Sequence, residues 1–137
     1  MDNNQDTWEF QEGPAEYGFD RTTGNLIVDK SFEFALRVVR FSKGLRDSGW
    51  YDASRQLFKC GTSIGANVHE AQDAESRDDF IHKMKVSAKE ASETRFWLKL
   101  CKYADELPYE EGMLEDLQSI RNILASIIIK ARMNKVQ

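Results

Sequence analysis

Apolar side chains recur at intervals of three and four residues in four separate blocks of the chain, a period that predicts four amphipathic helices. The first runs from Val28 to about Arg46, with Val28, Phe32, Ala35, Leu36 and Val39 on one side and Phe34, Val38, Phe41 and Leu45 on the other. Asp29 and Ser31 are both candidate caps for it. Two apolar faces require two apolar neighbours: the core of the same chain, and then the N-terminal arm or another subunit. The second block spans Asp52 to about Ala74, with Leu57, Cys60, Gly61, Ile64, Val68 and Ala71 in one stripe. Gly61 and Gly65 each cost about 1 kcal/mol relative to Ala inside a helix, so their presence predicts a close backbone approach to a facing helix. Ser76 followed by Asp79 predicts a capped third helix, ending near Leu107 ahead of Pro108, with Phe80, Met84, Ser87, Ala91, Thr94, Leu98 and Cys101 inward. Val86 and Trp97 lie on its flank and imply a further contact surface. The fourth helix, from about Glu110 to Asn134, has acids at its start and bases at its end, as the helix dipole favours. Four such helices on short connections predict an all-α, antiparallel up-down-up-down four-helix bundle over residues 28–137.

Composition narrows the alternatives. The chain has 137 residues, 8 Gly and 2 Pro, too few turn formers for an all-β sandwich and a length suited to one domain. The apolar run at Ile123–Ile129 falls far short of the roughly 20 residues needed to cross a bilayer, so no membrane contact is expected. The first residues lack a basic and apolar leader, which predicts a cytoplasmic protein.

Charge is uneven. Residues 1–30 carry seven acids against Arg21 and Lys30, whereas the other 107 residues hold 17 bases and 16 acids. Residues 1–27 read as an irregular acidic arm, and Trp8, Phe10, Tyr17 and Phe19 within it are more aromatic than a fully solvated tail needs. The near-neutral remainder neither requires nor excludes a nucleic acid.

Candidate chemistry is sparse. Cys60 and Cys101 form no metal-binding spacing and read as buried small hydrophobes. A carboxylate di-metal site needs Glu-x-x-His on two helices, and the chain offers Asp79-x-x-His82 once, with Glu70 phased away from its apolar stripe. Gly61-Thr-Ser-Ile-Gly65 lacks the lysine of a phosphate loop, and no serine sits in a nucleophile motif. No enzyme activity, cofactor or metal is therefore expected. Glu90 and Glu93 read either as a solvated face or as partners in an intersubunit salt bridge. The densest bases lie on the first helix, at Arg37, Arg40, Lys43 and Arg46, and on the third, at Lys83, Lys85, Lys89, Arg95, Lys99 and Lys102; of these, Arg37, Arg40, Lys83, Lys85 and Lys89 are candidate nucleic-acid contacts if copies of the chain concentrate them.

The segments Val28-Asp-Lys-Ser-Phe-x-Phe-Ala, Arg55-Gln-Leu, Thr62-Ser-Ile-Gly-Ala-Asn-Val-x-Glu-Ala71, Ser76-Arg-x-Asp-Phe-Ile81 and Ala88-Lys-Glu-Ala-x-Glu-Thr94 with Trp97-Leu98 resemble the family of 23S ribosomal RNA intervening-sequence proteins. The resemblance covers about residues 25–130; the acidic arm is not part of the common pattern. It implies a small bacterial cytosolic four-helix bundle that assembles as a ring-shaped homopentamer. It also implies kinship with the accessory protein of diversity-generating retroelements, which binds nucleic acid and a reverse transcriptase, so RNA, DNA or a reverse transcriptase are candidate partners. Gly61, Ser63, Ile64, Gly65, Asn67 and Glu70 match the signature and are expected to fix helix packing. Phe34, Val38, Phe41 and Leu45, with Val86 and Trp97, are the candidate oligomer interface.

Overall fold

The computed structural model describes residues 22–136, with side chains to Asn134. The expected acidic arm lies outside the described residues as far as Arg21. Four helices follow in order, α1 (Leu26–Asp47), α2 (Tyr51–Ala71), α3 (Arg77–Tyr103) and α4 (Met113–Val136). Each packs on the next, a thinner α1–α4 contact closes the ring, and among the described residues the backbones of the diagonal pairs stay apart, so the fold is an all-α up-down-up-down bundle.

Helix boundaries differ from expectation where capping chemistry differs. Neither Asp29 nor Ser31 caps α1. Asn25 does, its side-chain oxygen accepting from Val28 N, while Asp29 Oδ1 instead accepts from Thr23 N at 2.9 Å and Thr23 Oγ1 at 2.7 Å. The first turn therefore takes in Leu26 and Ile27, ahead of the expected start at Val28. Ser76 caps α3 by accepting from Asp79 N at 3.1 Å. That helix ends at Tyr103 rather than near Leu107, before Asp105 and Glu106, whose charges oppose the negative end of the helix dipole. α4 starts at Met113 rather than Glu110 because Gly112 has φ +92°, outside the right-handed helical region.

The core runs the length of the bundle through Val38, Leu45, Leu57, Ile64, Met84, Leu98, Leu117 and Leu124. Here one expectation is corrected. Phe34, Val38, Phe41 and Leu45 are buried inside the protomer and are not available to an oligomer interface. The opposite stripe is mixed, since Val28 is buried, whereas Phe32 and Val39 stand exposed. The physical reason lies at the α1–α2 seam. The edge of α1 that meets α2 includes Ser31, Val38 and Ser42, none of them large, so α1 turns its large residues inward and leaves Phe32 and Val39 at the rim. Counting hydrophobic residues misses this because Ser31 and Ser42 are polar and buried.

Candidate functional site

The signature residues gather on α2, facing both neighbours. A Cβ on Gly61 would lie 2.8 Å from both Val38 methyls, and one on Gly65 would lie 3.1 Å from the Ser31 carbonyl oxygen. Gly61 therefore sits where α1 leaves no room for a Cβ unless Val38 shifts, and Gly65 where a Cβ would be tight against the α1 backbone. Ser54 Oγ donates to Ser42 O at 2.6 Å and fastens the same seam. On the α3 side, Ile64 is fully buried and its carbonyl accepts from Ser87 Oγ at 2.9 Å. Glu70 reaches across to Lys83 Nζ at 2.8 Å. Ser63 and Asn67 hydrogen-bond within their own helix, Ser63 Oγ to Lys59 O and Asn67 Nδ2 to Ser63 O. Of the signature, then, Gly61, Gly65, Ile64 and Glu70 join helices.

The candidate nucleic-acid contacts separate into two kinds. Arg37 is engaged internally: its Nε donates to Glu110, Nη1 to Asp116 Oδ2 at 2.6 Å and Nη2 to the Glu111 carbonyl at 2.5 Å. The Glu110 carboxylate raises the guanidinium pKa above its ordinary value. One arginine thus ties α1 to the start of α4, and Lys83 is likewise held by Glu70, which raises its ammonium pKa. Both are corrected as phosphate contacts, since a phosphate would have to displace a carboxylate. Arg40, Lys85 and Lys89 are exposed and make no ion pair among the described residues.

Lys85 opens onto a feature that the sequence did not disclose. Between α3 and α4 runs a groove of about 470 Å³, lined by the apolar Ala88, Ala125, Ile128 and the exposed Ile129 and by the basic Lys85, Arg121 and Arg132, with Ser92, Gln118 and Asn122 as further polar groups. Among the described residues no acid lines it, and none of its three bases is paired. The missed signal is the spacing Arg121, Ala125, Ile128, Arg132, which keeps one α4 face both basic and shallow.

Among the exposed apolar residues two strips stand out, beside Leu26, Trp50 and, on α4, Ile129 and Met133. Phe32, Val39, Tyr51 and Phe58 lie along the outside of α1 and α2, and Val39, Tyr51 and Phe58 line one groove there. On α3, Phe96, Leu100 and Tyr103 recur at steps of four and three, Phe96 being 57% and Tyr103 70% exposed. Val86 is half-buried, and Trp97 is half-buried against the core, its ring edge-on to Phe96 at 5.7 Å. Trp97 is thus mainly a packing residue, and Phe96 beside it is the exposed aromatic.

Reactive groups are few. Both thiols are free and buried, and burial pushes Cys101 up to about 11 and raises Cys60 as well. Among the described residues no three His, Cys, Asp or Glu side chains are placed to share a metal ion, and no helix is long and apolar enough to cross a membrane.

Comparison with known proteins accounts for the signature. The family model described as 23S rRNA-intervening sequence protein matches residues 24–126, which reach from the α1 cap well into α4. A crystal structure of a protein with unknown function from the S23 ribosomal protein family of Bacteroides thetaiotaomicron VPI-5482 is 42% identical, covers 74% of this chain and 97% of that chain, and superposes with a TM-score of 0.71. No curated protein matches. With its glycine seam, its Ser-Ile-Gly-Ala-Asn element and a match across all four helices, the chain belongs to the 23S rRNA-intervening sequence protein family.

Proposed function

We propose that this protein is a non-enzymatic, cytoplasmic homo-oligomeric scaffold, a closed ring with a pentamer favoured. The observation that carries the reading is the pair of separate apolar strips, one on α1–α2 and one on α3. A cyclic ring needs two different patches per protomer that meet head to tail, whereas a two-fold dimer needs one self-complementary patch. Because α1 and α3 stand diagonally across the bundle, the strips face different directions. Light scattering coupled to size exclusion tests the reading. The expected particle has five times the 15.8 kDa chain mass, and a 15.8 kDa particle at micromolar concentration overturns it.

A second reading, that the protein binds nucleic acid, is favoured by the unpaired bases of the α3–α4 groove. In a ring each protomer would add a copy, which raises the local charge without changing that of the single chain. A fluorescent single-stranded oligonucleotide titrated against salt checks it. Phosphate contacts make log K fall linearly with log salt, and Arg121→Ala should reduce that slope. Salt-independent binding, or none, removes the reading.

A further inference from the structure

The α3–α4 groove combines an apolar floor with bases that nothing in the described bundle neutralises. Several bases elsewhere are paired, Lys43 with Asp47, Arg55 with Asp52, Lys83 with Glu70 and Arg37 with Glu110 and Asp116, while Arg40 and Lys89 stand singly; the groove differs in holding three unpaired bases around one apolar lining. A dense counter-charge in the same chain is the segment before α1. Residues 1–21 hold six acids against Arg21, together with four aromatic side chains.

The pattern of that segment matches the groove. If Asp6-Thr-Trp8-Glu-Phe10-Gln-Glu12 binds as an extended chain, its even positions would share one side, placing Trp8 and Phe10 together between the carboxylates of Asp6 and Glu12. Six extended steps span about 20 Å at roughly 3.3 Å each. Arg121 and Arg132, eleven residues apart on α4, are separated by about 16 Å at 1.5 Å per residue. Two carboxylates at that spacing suit two guanidinium groups at the ends of an apolar floor.

Position and reach agree. In an up-down-up-down bundle the start of α1, the start of α3 and the end of α4 share one end, so Lys85 and Arg132 lie in the half of the molecule where α1 begins. The sixteen residues from Phe10 to Leu26 extend over about 50 Å, against roughly 20 Å to pass across two helices packed 8–10 Å apart. The groove on α1–α2 is a poorer match, because Asp47 and Asp52 already engage three of its four bases, Lys43, Arg46 and Arg55, and leave Lys59 as its one unpaired base against three in the α3–α4 groove.

We propose that the acidic N-terminal segment is a tethered ligand for the α3–α4 groove of its own bundle, with Trp8 and Phe10 on the Ala88, Ala125 and Ile128 floor and Asp6 and Glu12 against Arg121, Arg132 and Lys85. A phosphate polymer using the groove must displace it. The proposal rests on neither self-association nor nucleic-acid binding, and its test needs neither.

Disulfide trapping in the full chain provides the test, since the native thiols are buried and do not compete. Gln11→Cys is combined with Ser92→Cys in the groove or, as a control, with Val39→Cys on the α1–α2 face, and each is allowed to oxidise in a glutathione buffer. Docking raises the effective concentration at the groove, so the Ser92→Cys pair should close about tenfold faster than the Val39→Cys pair, as an intrachain bond. Trp8→Ser with Phe10→Ser, or Arg121→Glu alone, should abolish the difference. Equal rates, a faster Val39→Cys pair, or a bond formed between chains would overturn the proposal.

Discussion

The α1–α2 and α3–α4 seams are both built with small residues, and they come out differently. At α1–α2, a Cβ on Gly61 would clash with Val38 and one on Gly65 would be tight against the Ser31 carbonyl, and the helices close on each other. At α3–α4, Ala88 and Ala125 leave a groove, which Lys85, Arg121 and Arg132 edge. A small residue lets helices close where its phase points at the partner's axis. It leaves a cleft where its phase points past the axis, toward the surface. The first arrangement serves stability and the second offers a binding surface.

Substitutions that fill each seam separate these two roles, and the largest effect belongs to Gly61→Leu. Its Cβ alone meets two Val38 methyls, so overpacking should destabilise by several kcal/mol even though leucine is the better helix former by about 1 kcal/mol. Ala125→Leu in the open seam should stay within about 0.5 kcal/mol of wild type in the same denaturant titration. Similar losses at the two sites would break the distinction.

Arg37→Met comes next, because it unfastens α1 from the acids at the start of α4. A loss of about 1–2 kcal/mol is expected, given three charge-assisted bonds at a side chain still 26% exposed. Arg37→Lys should recover only part of it, as an ammonium lacks the planar fork that reaches both carboxylates and the Glu111 carbonyl. A variant as stable as wild type would show that α4 docks without this clamp.

Alkaline pH probes how well the closed core excludes charge. The Cys101 thiol is raised from 9.0 to about 11 by burial, so the folded state holds its proton where the unfolded chain has lost it. Its contribution is complete below pH 9 and is lost as pH rises through 11, amounting to about 1 kcal/mol at pH 10. Urea midpoints compared at pH 8 and 10 should fall less in Cys101→Ala than in wild type, and equal falls contradict the assignment. The smallest expected effect is a gain. Ser42 Oγ is buried in the closed seam without a hydrogen-bond partner, so Ser42→Ala should raise stability by about 0.5–1 kcal/mol.

Much of this architecture is legible in the sequence because period and caps are local properties. The four helices, the Ser76 cap and the inward stripe of α3 follow from spacing alone. The orientation of α1 does not, because Phe34 and Phe32 sit on two equally apolar stripes. Which one turns inward depends on Gly61 and Gly65 of another helix. The groove bases escaped notice for a related reason: Arg121 looks like any solvated helix residue until Lys85 and Ala88 of α3 are placed beside it. The clamp at Arg37 joins side chains 73 and 79 positions apart, a range at which no helical period carries information.

Assembly through two different faces is the central claim, and mixing two face variants tests it most directly. Phe58→Asp spoils the α1–α2 strip and Phe96→Asp the α3 strip, both at exposed positions where folding should be unaffected. If the ring is built head to tail, each variant alone should run as a monomer. Mixed in equal amounts they should pair through the one intact contact, giving a particle of twice the 15.8 kDa chain mass by light scattering. If instead Phe96→Asp alone retains the wild-type particle mass, the α3 strip takes no part and the head-to-tail account is contradicted.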